Sequence, residues 1–364
     1  MKQNGQTLKL LKEIEGKGIP SLDCRVLRQG ECVFSYRSGY IDKAKTKPVS
    51  GKERYNLYSC SKLITCTAAF QLIEKGMLRL DDAVHEYLPE FRHLKKKTDG
   101  KLEDVRNTMT IRHLFTMTAG LTYDVCSENI RYGIAETSGA MPTREAMKYL
   151  ACDPLIFEPG TNWNYSLCHD VLAAVVEVIS GKRFGLYVKE NIFDRLGMTN
   201  STFLLPQNEL EGITGQYRYD SEKEEYIFCG PEIQGYKLGS EYESGGAGCI
   251  STAEDYLRFL EGLRTGEQLL RRDTIAMMAS PQISGAAVDS YADFGITEYS
   301  YGFGVRCPKP GGSVQDYGWS GAAGAYLAVF PDKDVTLFYV QHVLSSPVRQ
   351  ERKMLPGCIL RDLQ

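Results

Sequence analysis

Apolar residues change their period twice along this chain, and the changes divide it into three stretches. Leu8, Leu10, Leu11 and Ile14 form a stripe in an otherwise polar segment, which predicts an amphipathic helix. Residues 21–27 and 32–36 then read as strands, and Arg28-Gln29-Gly30-Glu31 between them reads as a hairpin turn. A helical pattern takes over in Tyr58-Ser59-Cys60-Ser61-Lys62-Leu63-Ile64-Thr65 and runs through Ala68, Phe70, Leu72 and Ile73 to a stop at Gly76. The middle of the chain stays mostly helical, to about residue 290. One helix starts at Thr110 and ends near Gly120; others cover 143–150 after Pro142 and 170–180 before Gly181. Ser251-x-x-Glu254 reads as a capping box for Tyr256, Leu257, Leu260 and Leu263. Tyr217, Tyr219, Tyr226 and Phe228 predict a small hairpin within the loop-rich 216–248. Strand patterning returns at 302–305, 325–330 and 335–340, with a turn at Pro331-Asp332-Lys333-Asp334 and a short last helix from Pro356.

Strands at both ends with helices between them predict an α/β (α+β) architecture, an antiparallel sheet flanked by helices and interrupted by a mostly helical insertion. Residues 1–58 and 295–364 would form the sheet domain and 59–294 the helical one. Ser59 would then lie at the seam, where pockets tend to form.

Composition narrows the function classes. The chain has 364 residues, 43% hydrophobic and 24% charged, with a net charge of −3. That is an ordinary globular composition with no bias toward a nucleic-acid or anionic-membrane partner. The run Lys95-Lys96-Lys97 is offset by Asp99, Glu103 and Asp104 and reads as a solvated loop. The eleven cysteines include no C-x-x-C pair, and the five histidines (His85, His93, His113, His169, His342) show no ligand spacing, so neither a metal nor another cofactor is expected. Thiols in this number suggest a reducing, cytoplasmic setting. Residues 1–18 do not read as a secretory signal, and apolar runs such as 171–176 are too short to span a bilayer.

Ser59 is the only serine followed three positions later by a lysine, Lys62. Residues i and i+3 share a helix face, so the ammonium comes within reach of the hydroxyl. Two readings compete: a helix cap beside a solvated lysine, or a nucleophile beside the group that takes its proton. A helix start also offers free N–H groups for an oxyanion. Partners would have to come from polar element ends elsewhere. The candidates are Asn162-Trp163-Asn164-Tyr165-Ser166-Leu167 and Gly318-Trp319-Ser320-Gly321-Ala322. The second is one residue short of a G-x-S-x-G elbow and precedes a strand where the elbow needs a helix, which argues against Ser320 as nucleophile.

Six landmarks in order give the chain a family resemblance. They are Ser59-x-x-Lys62; Thr110-Ile111-Arg112-His113-Leu114 with Thr118-Ala119-Gly120-Leu121; Phe157-Glu158-Pro159-Gly160-x-x-Trp163-x-Tyr165-Ser166; Leu196-Gly197-Met198; and Gly245-Gly246-Ala247-Gly248-Cys249-Ile250-Ser251; with Trp319-Ser320-Gly321 in the place of the third motif. Together they resemble the serine β-lactamases and penicillin-binding proteins, especially the class C β-lactamase-like branch. Two departures bear on substrate. The family's Y-x-N is Tyr165-Ser166-Leu167 here, without an amide, and its K-T-G or H-x-G is Trp319-Ser320-Gly321, without a cation. Both resemble the family VIII carboxylesterases of this fold.

The resemblance implies Ser59 as nucleophile, Lys62 and Tyr165 as a shared general base and acid, and the backbone N–H groups of Ser59 and Ala322 as oxyanion hole. Gly321 would let the backbone approach the substrate, and Trp319, with Ser320 beside it, would wall the pocket. The expected substrate is a small-molecule ester or amide, with carboxylic ester favoured. A β-lactamase or D-Ala-D-Ala-type peptidase is the alternative within enzymes, an acyltransferase shares the scaffold, and a non-catalytic acylated sensor is the alternative outside them. Trp319 in place of a cation predicts a preference for uncharged esters unless another cation, such as Arg306, reaches the same space. His169, four residues after Tyr165, is a candidate neighbour of the site, and 122–141 and 283–299 are candidate pocket loops.

Overall fold

The computed structural model describes residues 5–205, 209, 212–230, 235–266 and 268–364. Its centre is a seven-stranded, wholly antiparallel sheet. The strand order is Glu31–Gly39, Ser21–Arg28, Val335–Val340, Tyr326–Phe330, Tyr317–Ser320, Arg306–Pro308, Tyr299–Tyr301. The two chain ends therefore meet in the middle of one sheet, where Asp23 faces Val340 and Arg28 faces Val335.

The period of two in these strands decides which layer each side chain joins. Leu22, Cys24, Val26, Ala328, Phe330, Leu337 and Tyr339 pack against Leu10, Leu11 and Ile14 of the first helix, Gln6–Gly16, and against Leu355 and Ile359 of the last, Arg349–Asp362. The alternate residues Leu327, Val329, Phe338 and Val340 face the larger core, with the helical body. The result is three layers: terminal helices, sheet, helical body. The terminal helices are also joined by a cap. The Asp362 carboxylate accepts from the N–H groups of Gln6 and Thr7, both at 2.8 Å, satisfying donors that the first turn leaves free.

The Ser61–Glu74 helix is buried on nearly every side, from Ser61 through Leu72, which explains its lack of an amphipathic stripe. It packs against Cys168–Ser180, a second apolar helix, closed by Gly181 at φ +66°. Both helices fall where the apolar pattern placed them.

Several expectations need correction. The helix after residue 251 is capped by Thr252, whose side chain accepts from the Asp255 N–H at 3.1 Å; Ser251 lies in the Ile250–Thr252 strand. Residues 302–305 are a reverse turn, Gly302 N–H to Val305 O at 2.8 Å, and the strands lie on either side of it. Burial of Phe303 and Val305 gave the turn its strand-like appearance. The last helix starts at Arg349, with Pro356 inside it. The helix from Ile111 ends at Thr116, because Met117 turns left-handed at φ +57°. Lys95–Thr98 and Lys101–Asp104 form an exposed hairpin in place of a loop. The predicted 217–228 hairpin is present as Tyr217–Asp220 with Glu225–Phe228, while 231–234 of the surrounding loop lie outside the described residues. Among the described residues no helix is long and apolar enough to cross a membrane.

Candidate active site

Ser59 lies in a single 3-10 turn, Tyr58–Cys60, that runs into the Ser61–Glu74 helix. The turn is tightly held. Tyr58 takes φ +50°, a left-handed conformation that is costly for a bulky residue. Its hydroxyl donates to Gln216 Oε1 at 2.7 Å, and its ring meets Tyr236 edge to face. Ser61 is fully buried, donating to Tyr58 O at 2.6 Å and accepting from the Cys249 N–H at 2.8 Å. Cys60 faces the core, and burial pushes its thiol up to about 12, so it is no rival nucleophile at neutral pH.

The three side chains expected to act together do meet. Lys62, fully buried, donates from Nζ to Ser59 Oγ at 3.2 Å and to Gly246 O at 2.8 Å. The Tyr165 hydroxyl also donates to Ser59 Oγ. Nζ of Lys62 also stands 4.6 Å from the centre of the Tyr165 ring. The Tyr165 ring is fixed by near-parallel stacking on Tyr123 at 5.4 Å and on Phe294 at 5.1 Å, with Trp319 parallel at 6.0 Å.

Behind Lys62 is a residue for which the sequence reading had no role. Asp170 is fully buried in the first turn of Cys168–Ser180. Its Oδ1 accepts from Tyr242 at 2.8 Å and Ser244 at 2.6 Å. Burial pushes this carboxyl above the usual carboxylate range, against the opposing pull of Ser244, Lys62 and Tyr242. Gly246 is small because it must be: a Cβ there would fall 2.5 Å from Asp170 Oδ2 and 3.5 Å from Lys62 Nζ. An acid in a helix first turn is common enough that spacing alone gave Asp170 no distinction. Tyr123 and Phe294 were hidden for a similar reason, because only the tertiary fold stacks them on Tyr165.

The second candidate segment lies across from the serine. Trp319 is nearly buried in the Tyr317–Ser320 strand, paired with Leu327 and edge to face with Tyr301. Gly321 packs so close that a Cβ would come within 2.3 Å of Leu57 O. Ala322 lies in the tight turn that follows, not on a strand edge; Gly321 N–H is taken by Ala325 O at 2.8 Å, and the Ala322 N–H has no acceptor among the described residues. Ser320 is exposed, and its hydroxyl has no basic partner among the described residues, unlike Ser59. Leu167, where an amide would stand, belongs to the core. His169 is fully buried, and neither of its ring nitrogens has a hydrogen-bond partner among the described residues. Burial and the Lys62 charge push its imidazole well below the usual range, so it is neutral.

A cavity of about 920 Å³ opens over these groups. Its lining includes Ser59, Tyr165, Trp319, Ser320, Gly321 and Ala322. Phe294 to Tyr299, within one of the two loops named from the sequence, form a side; residues 122–141 contribute through Tyr123 behind Tyr165, not through the wall. The lining also includes four cations, Arg306, Arg349, Arg352 and Lys353. Arg306, the cation that the sequence flagged, is bound to Asp316 at 2.8 Å. The remaining three belong to the last helix, which the sequence placed too late to bring them here.

Comparison with known proteins identifies the family of the chain. The beta-lactamase family model matches residues 9–356. Esterase EstB from Burkholderia gladioli is 30% identical over 326 residues, covering 82% of this chain and 80% of its own. The acyltransferase calJ from Penicillium decumbens is 29% identical over 280 residues, 72% of this chain and 65% of its own. Among solved structures, the simvastatin synthase LovD from Aspergillus terreus superposes with a TM-score of 0.82 at 22% identity, covering 98% of both chains, which establishes the fold. The chain belongs to the beta-lactamase family, and with it to the serine hydrolases and acyltransferases built on this fold.

Proposed function

We propose that this enzyme hydrolyses carboxylic esters through an acyl-enzyme on Ser59, at the seam between the sheet-bearing ends, 1–58 and 295–364, and the helical stretch 59–294. The observation that carries the reading is the placement of Ser59 Oγ between Lys62 Nζ and the Tyr165 hydroxyl, both in hydrogen-bonding contact. Ser59 Oγ attacks the acyl carbon, and its proton passes to the Lys62–Tyr165 pair in the form that is one proton short, a phenolate beside the ammonium or a phenol beside the free amine. The carbonyl oxygen turns toward the Ser59 and Ala322 N–H groups, which stabilise the charge it gains. The pair returns the proton to the departing alkoxide, leaving acyl-Ser59. Water then attacks the acyl carbon, gives a proton to the same pair, and frees the acid and the serine. Asp170, by holding Tyr242 and Ser244, fixes the segment whose Gly246 carbonyl accepts from Lys62.

Trp319 and Leu167 support an ester over a β-lactam or peptide, because neither offers the cation or amide that those substrates would use. The acyltransferase relative supports a second acceptor: an alcohol can replace water at the same acyl-enzyme. The cytoplasmic setting is part of the proposal and rests on the cysteine content. Turnover of short 4-nitrophenyl esters tests the reading. Many equivalents of nitrophenol per enzyme are expected; a single burst followed by silence would make the protein an acylated sensor instead.

A further inference from the structure

Three consecutive residues after the Val335–Val340 strand touch both segments that carry the proposed oxyanion donors. Gln341 packs on the turn after Trp319, where a Cβ on Gly324, at φ +100°, would fall 2.3 Å from Gln341 Cγ. Val343 donates its N–H to Ala323 O at 2.8 Å, one residue beyond Ala322. Between them, the His342 ring reaches the other segment. Its Nε2 accepts from the N–H of Asn56 at 3.3 Å, three residues before Ser59. The two segments also press on each other directly, where Gly321 meets Leu57 O.

His342 is fully buried, and its two nitrogens do different things. Nδ1 lies 2.8 Å from Thr214 O, so it carries the proton, and Nε2 keeps its lone pair for Asn56. Thr214 belongs to the same assembly, since its N–H donates to Arg54 O at 2.9 Å. The backbone of His342 is held as well, its carbonyl accepting from the Tyr217 N–H at 2.9 Å. Tyr55 meets the ring edge to face at 5.8 Å. An apolar residue would fill this space without two polar atoms to satisfy. What the imidazole adds is a donor and an acceptor at a fixed spacing on one rigid ring.

We propose that His342 is a positioning residue for the oxyanion hole. It fixes the Asn56 end of the serine segment against the Ala322 turn, and so sets the distance between the Ser59 and Ala322 N–H groups. It meets neither the substrate nor the reacting atoms and acts through the backbone on both sides. Oxyanion donors work by standing in place before the charge develops, and a displacement of about 1 Å can cost about a hundredfold in rate. The inference rests on the ester-hydrolase reading above and adds to it a residue that no motif in the sequence marks.

The test separates the two nitrogens of the ring. His342→Asn can place an amide N–H where Nδ1 donates to Thr214, but it offers Asn56 no acceptor at the reach of Nε2. His342→Gln is one carbon longer and can place its Oε1 where Nε2 accepts. The constants kcat and KM for 4-nitrophenyl butyrate are measured at pH 8, below the melting temperature of each variant. Acylation and deacylation both pass through a tetrahedral oxyanion, so kcat falls whichever step limits turnover. His342→Asn should lower kcat by about tenfold or more with KM within about threefold of wild type, and His342→Gln should recover most of the loss. A role in stability alone would lower both melting temperatures and leave kcat unmoved. Gln341→Ala should also lower kcat with little change in KM, and it serves if His342→Asn does not fold. Wild-type kcat in folded His342→Asn, or in Gln341→Ala where that variant fails, would overturn the positioning role and leave the hydrolase reading standing. Equal losses of kcat in the Asn and Gln variants would do the same. No turnover of the ester by the wild-type enzyme would overturn both.

Discussion

Ser59 Oγ has two neighbours able to carry its proton, and the geometry binds them to each other: Lys62 Nζ lies 3.2 Å from the oxygen and 4.6 Å from the centre of the Tyr165 ring. Lys62→Met and Tyr165→Phe should each lower kcat by orders of magnitude, and the double variant should be little worse than either alone. Independent losses that multiply in a double-mutant cycle, with both variants folded, would show two separate roles. A second prediction concerns Gly321, whose Cβ would meet Leu57 O at 2.3 Å. Neither backbone can yield cheaply, so Gly321→Ala should displace the Ala322 N–H and cut kcat/KM at least tenfold, with a smaller effect on thermal stability. An unchanged kcat/KM would mean that the turn after Trp319 does not position an oxyanion donor. Ser320→Ala should keep most activity, since Ser320 is exposed and lacks a basic partner among the described residues.

At the scale of elements, the sequence was most legible where burial is one-sided or complete. The first helix, the opening hairpin, Thr143–Leu150 and the helix behind Gly181 all follow from apolar period and stop signals. The misplacements share a physical cause. Phe303 and Val305 are buried by tertiary contacts within a turn, and the polar first two turns of the last helix carry charges that face a cavity. No local pattern reports either fact. The spacing of the serine, lysine and tyrosine was legible in the motifs, whereas Asp170 and Phe294 come near them through proximity that only the fold creates. The terminal helices give a test at this scale. Asp362 caps Gln6 and Thr7 and joins the two ends of the chain. Asp362→Ala should cost about 1–2 kcal/mol, typical of a lost helix cap, and leave ester kcat/KM unchanged. A chemical-denaturation midpoint equal to wild type would show that the cap adds nothing to the docking of the two helices.

One buried imidazole ties the stability of the whole molecule to pH. His342 is fully buried, accepting from the Asn56 N–H at 3.3 Å and meeting Thr214 O at 2.8 Å through Nδ1, which places the proton there. Burial holds its pKa down at about 4, against 6.5 for a free histidine. The folded form therefore excludes a proton that the unfolded chain accepts. This contribution is present in full above about pH 6.5 and is lost as the pH falls toward 4, at up to about 1.4 kcal/mol per pH unit. His342→Gln should be less stable at pH 7 and show a shallower loss between pH 6.5 and 4; an equal slope in both proteins would remove His342 from the acid response. The three layers converge on one chemical claim, that the acyl group passes through Ser59, and peptide-mapped mass spectrometry tests it most directly. Enzyme mixed with 4-nitrophenyl butyrate and quenched rapidly in acid should carry one butyryl group on the peptide containing Ser59, and the Ser59→Ala protein should carry none. A butyryl group on any other residue, or its persistence in Ser59→Ala, would contradict the account.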